Sequence, residues 1–102
     1  MMGTFPRDIV YSPGYGAGIA TWNDNGYDII ENPQFVEYVR SGGRDITRAE
    51  EILVEQGFDA DTLYLGGVRD AQVFTVDGPY MIEEYDGYES IKQHSDGELW
   101  RF

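Results

Sequence analysis

The chain has 102 residues, 41% of them apolar, which is enough for one domain with a modest core and too few for a second. It has no cysteine, no apolar run of about 18 residues and no basic-then-apolar leader after Met1; this excludes disulfides and thiolate metal sites and leads us to expect a soluble, cytoplasmic protein. Nineteen Asp and Glu against seven Lys and Arg give a formal charge of −12 and a pI near 4.1, a balance that repels bare nucleic acid and anionic membranes and favours cationic partners.

Residues 1–7 are expected to be flexible, after which "DIVYS" (8–12) has the β-branched and aromatic content of a short strand, stopped by Pro13 and Gly14. Gly14, Gly16 and Gly18 then alternate, leading into "GIATWN" (18–23), where Ile19, Thr21 and Trp22 read as a second short strand; "NDNG" (23–26) reads as a turn. Asn32 followed by Pro33 predicts a helix start, Phe35, Val36, Tyr38 and Val39 form its apolar face, and Gly42–Gly43 ends it. A second helix follows. Thr47 to Glu50 has capping-box form, with Asp45 as a competing cap; Ile46, Ala49, Ile52 and Leu53 recur at helical spacing, and Gly57 fits the end. Glu50, Glu51 and Glu55 fall on its solvated face.

From Leu63 the period changes to that of strands. Asp-Gly pairs at 77–78, 86–87 and 96–97 separate runs rich in Val, Ile, Tyr, Phe or Trp, the signature of two-residue hairpins. The pattern predicts a β-meander over 72–76, 79–85, 88–93 and 98–102, with Trp100 and Phe102 facing the core. With two short helices packed on one face, the whole is a two-layer α+β domain spanning 1–102.

The glycine-rich stretch invites comparison with a phosphate loop, but no Lys follows it, Ile19 and Thr21 stand where a third glycine is needed, and Asp24 and Asp28 repel an anion. A turn that lets Trp22 pack accounts for it more simply. Setting Gly26 at the sixth position of a calcium loop leaves Asn32 where a bidentate Glu is required, and the one histidine, His94, stands without cysteines; neither a metal nor a cofactor is expected. Glu83, Glu84, Asp86 and Glu89 flank the second hairpin turn, with Glu83 and Glu84 on opposite faces. A buried member of that set suits general acid catalysis. No Ser–His or Cys–His arrangement accompanies it. Eight tyrosines and two tryptophans exceed the evident needs of the core, and Tyr85 and Tyr88 lie among the same carboxylates.

Three segments carry a resemblance: "GYGAGIATWN" (14–23), "LYLGGVRD" (63–70) and "MIEEYDGYESI" (81–91). Together they resemble a group of small, uncharacterised acidic proteins of bacteriophages and other bacterial mobile elements. Where that group often has Trp-Ser before Thr-Trp, this chain has Ile19–Ala20. The resemblance implies a phage-like origin and carries over no functional residue.

The function expected from these features is a small acidic, non-enzymatic interaction protein. It would act as a phage-encoded inhibitor that occupies a basic surface of a bacterial nucleic-acid-binding or defence protein, through Glu83, Glu84, Tyr85, Asp86, Tyr88 and Glu89. Its expected partner is a basic bacterial protein, not nucleic acid or membrane. The alternative is a protein that sequesters a small ligand or nucleotide with Tyr15, Gly16, Gly18 and Trp22, an anion being countered by Arg40, Arg44, Arg48, Arg69 or Arg101. A third reading is a carboxylate-dependent enzyme.

Overall fold

The computed structural model describes residues 5–14 and 16–93, and the fold is α+β. The expected strand near the start is β1 (Arg7–Tyr11). Ile9 and Val10 are both fully buried. Neighbouring residues of a strand point to opposite faces, so β1 is covered on both sides. Phe5, ahead of it, packs against the core, and Arg7 is already in the strand, so the described part of the predicted flexible start is built into the fold.

The helices follow from their caps. α1 (Gly26–Ile30) is a five-residue helix, not anticipated from the sequence, that begins at the last residue of the predicted 23–26 turn; it is too short to show a period, yet Ile29 and Ile30 are fully buried. α2 (Pro33–Arg40) starts as predicted, with the Asn32 side chain accepting from the Gln34 and Phe35 amides and Pro33 in the first turn. Phe35, Val36 and Val39 enter the core. α3 (Ile46–Val54) is capped by Asp45, which accepts from the Arg48 amide. Asp45 prevails over Thr47 because its backbone is extended, as a cap must be, while Thr47 already lies inside the first turn. At the far end Gly57, with φ of 102°, and the Phe58 amide bonded to Leu53 complete a left-handed stop.

The strands predicted after Leu63 are present as β2 (Gln72–Val76), β3 (Tyr80–Tyr85) and β4 (Tyr88–Gln93), but their pairing is not a meander. β2 pairs antiparallel with β1, Ile9 opposite Phe74, while β3 pairs with β4, Ile82 opposite Ile91. Asp77–Gly78 is therefore a corner between two two-stranded sheets and not a hairpin. An Asp-Gly pair marks a local reversal and says nothing about which strand lies alongside; here the buried β1 claims β2 first. The expected strand 98–102, with Trp100 and Phe102, and His94 lie outside the described residues.

α2 packs on both strands of the first sheet, while α3 packs chiefly on α2 and on a 3₁₀ turn over Gly66–Asp70, so one of the two predicted helices covers that sheet; the β3–β4 hairpin rests on the loop after β1. Tyr80 ties the layers together. Its fully buried ring meets Tyr27 edge-on at 5.8 Å and its hydroxyl donates to Glu31, which also pairs with Arg7 at 2.6 Å.

Replacing Asn32 with Ala removes both cap bonds of α2 and the side chain's two reciprocal bonds with Gln56. We expect a loss of about 1 kcal/mol in urea unfolding, with an unchanged m-value.

Candidate functional site: the glycine-rich loop and the hairpin tip

The second strand expected at Ile19–Trp22 is a 3₁₀ turn over Ala20–Trp22, and the reason lies in one side chain. The amides of Ile19 and Thr21 both donate to Oε2 of Glu89, at 2.8 and 3.0 Å. In an extended strand those two N–H groups stand about 7 Å apart and cannot share one oxygen. The Thr21 hydroxyl donates to the same Oε2 at 2.8 Å, and the Ser12 amide donates to Oε1 at 3.0 Å. Glu89 is fully buried. The glycine-rich loop is thus an anion cradle in form, and the anion it holds is a carboxylate of its own chain.

The close fit explains the glycines. A Cβ on Gly18 would stand 2.6 Å from the Thr21 hydroxyl and 2.8 Å from Glu89 Oε2. Gly87, at φ of 84°, follows Asp86 at φ of 55° in a left-handed two-residue turn, and a Cβ there would reach the Gly16 and Ala17 backbone. Backbone bonds from Gly16 N to Asp86 O, 3.0 Å, and from Glu89 N to Ser12 O, 2.7 Å, join loop to hairpin. Only the 86–87 turn signal in the sequence pointed toward this junction.

The expected partner-binding residues separate accordingly. Glu89 is corrected from surface to core: it lies opposite Glu84 in the register, on the face turned to the loop, where four donors enclose it. Glu84 stays exposed at the rim of that face. Its Oε2 accepts from Gly87 N at 2.6 Å and from the Trp22 indole at 3.3 Å. Trp22 in turn meets Tyr64 edge-on, ring centroids 4.8 Å apart, and the two rings are 37% and 45% exposed. Tyr64 was missed by sequence reasoning, since nothing local connects it to a tryptophan 42 positions away. On the opposite face of the hairpin Tyr85, 78% exposed, stands across from Tyr88, beside Glu83, which pairs with Lys92 at 3.2 Å. Asp86 is exposed at the apex.

Of the alternative ligand site, Tyr15 lies outside the described residues, while Gly16 is exposed and Gly18 is buried against Glu89. The N–H groups that a phosphate needs at Ile19, Thr21 and Ser12 are taken by Glu89. Arg40, Arg44 and Arg48 bond to partners on and around α2 and α3 and do not counter an anion at the loop; Arg101 lies outside the described residues. The buried carboxylate that an acid catalyst requires exists as Glu89, but its donors leave it no open side toward a substrate.

A separate cleft of about 410 Å³ is lined by Arg7, Asp8, Glu31, Val36, Glu37 and Arg40. Its charged groups are paired with one another: Arg7 with Glu31, and Arg40 with both Asp8 and Glu37, its hydrogen bond holding the Glu37 carboxyl below the ordinary value. Among the described residues no three His, Cys, Asp or Glu side chains gather to hold a metal, and no helix is long and apolar enough to cross a membrane. Comparison with protein-family models, curated proteins and solved structures finds no match.

Glu89→Gln sets an amide group against N–H donors in the interior, and we expect a loss on the order of 2 kcal/mol in urea unfolding. Gly18→Ala crowds the same carboxylate and is expected to cost about 1–3 kcal/mol. In both variants the indole N–H resonance of Trp22 should shift, since its ring rides on that loop.

Proposed function

We propose that the protein is a non-enzymatic interaction protein whose hairpin tip occupies a basic surface on a bacterial nucleic-acid-binding or defence protein, in the manner of a phage-encoded inhibitor acting in the host cytoplasm. The observation that carries this reading is the combination at the tip: exposed Trp22, Tyr64, Tyr85 and Tyr88 set among Glu83, Glu84 and Asp86, on a loop and hairpin joined by a buried carboxylate. Acidic side chains are also exposed along α3 and at Asp59 and Asp61, so negative potential is general. Rings concentrate at the tip: among the described residues the exposed aromatics are Trp22, Tyr64, Tyr85 and Tyr88 there, with Phe74 alone elsewhere. Tyrosine and tryptophan supply contact area at little entropic cost, and neighbouring carboxylates speed capture of a cationic face.

The formal charge of −12 supports a partner that is cationic and not nucleic acid. Inhibition follows by occlusion: the tip covers the basic residues with which the partner would grip phosphates, and its on-rate falls as salt rises.

The triple variant Glu83→Lys, Glu84→Lys, Asp86→Lys tests this while leaving Glu89 in place. Wild-type protein is expected to capture a basic protein from bacterial lysate and release it as salt is raised, and the folded variant to capture none. Identical capture by both proteins would remove the hairpin tip as the binding surface.

A further inference from the structure

Resting on the cationic-partner reading above, the geometry points to a more specific occupant: the Trp22–Tyr64–Glu84 corner is a seat for an arginine side chain, in preference to lysine. Glu84 is held by two donors on one oxygen, Gly87 N at 2.6 Å and the Trp22 indole N–H at 3.3 Å. Those bonds fix the carboxylate at the edge of the indole. Among the described residues its Oε1 accepts no hydrogen bond and forms no ion pair, so an acceptor remains open beside the ring. The one lysine of the hairpin, Lys92, pairs with Glu83 on the opposite face, and among the described residues no Lys or Arg forms an ion pair with Glu84.

The rings supply the second half of the seat. Trp22 and Tyr64 meet at 72°, edge to face, so each supports the other while more than a third of each remains exposed. A guanidinium is flat: it can lie on an aromatic face and at the same time direct an in-plane N–H at a carboxylate lying at the ring's edge. An ammonium is a compact point charge. It reaches the ring or the carboxylate well, but gains little from having both in this relation, and it gives up a tighter hydration shell to do so. The edge position of Glu84 relative to the indole therefore selects for the planar cation.

Two peptides of equal length and charge, one built on arginine and one on lysine, provide the test. Each is titrated at low salt into the wild-type protein, the Trp22 indole N–H being followed by NMR and assigned with Trp22→Phe. The arginine peptide should bind roughly fivefold more tightly and shift the Trp22 signal. That preference should vanish in Trp22→Ala and in Glu84→Gln; the latter keeps an acceptor for Gly87 N but turns an N–H group toward the guest. Because Glu84→Gln changes one atom on an exposed side chain, it decides the matter even if Trp22→Ala fails to fold. Equal affinities, or arginine binding that leaves the Trp22 signal in place, would overturn the arginine seat. If both peptides bind equally and both are lost in the triple lysine variant, the seat fails while the cationic-partner reading stands. If neither binds, both fall.

Discussion

The hydrogen bonding of Glu89 is the constraint on which the upper half of the molecule depends. A carboxylate withdrawn from water is costly unless donors replace its hydration, and breaking such an arrangement leaves several polar groups stranded together. Here Ser12, Ile19 and Thr21 supply those donors from a single loop, so the loop has no freedom to adopt another path without uncovering a buried charge. The 3₁₀ turn at Ala20–Trp22, the need for a small residue at position 18 and the approach of Gly87 to the loop backbone all follow from it.

This internal anion also decides what the loop presents to the outside. With its amides turned inward, the loop offers solvent the Trp22 ring in place of a row of N–H groups. The hairpin completes that surface: the left-handed turn at Asp86–Gly87 brings Glu84 and the loop together, and the indole N–H finds its acceptor across a chain separation of 62 residues. A surface built this way is preorganised, and a partner that meets it loses little entropy in ordering it.

Much of the architecture was readable from local chemistry. Asn32–Pro33, Asp45 and Gly57 act within one turn of the chain, so the helix limits around α2 and α3 follow from sequence alone, as do the reversal at Asp86–Gly87 and the strand segments around it. Strand pairing was not readable, because the choice of β1 over β3 as the partner of β2 depends on how Ile9 and Val10 are buried from both sides. The role of Glu89 was hidden for a related reason. Its neighbours in sequence, Tyr88 and Ser90, are exposed, and the "EYDGYE" run looks uniformly solvated; only donors some seventy positions earlier draw that one carboxylate inside. Trp22 and Glu84 were both visible as candidates, but for separate sites, and the fold merges them into one.

That separation along the chain has a consequence for biosynthesis. Helices α2 and α3 and the β1–β2 ladder use only residues made before position 77. The loop from Ser12 to Thr21 must wait, its amides served by water, until the ribosome has delivered Glu89. A nascent or prematurely terminated chain that stops short of this residue lacks the group that shapes the Trp22 corner, so the contact surface matures late and only on molecules whose synthesis has passed that point.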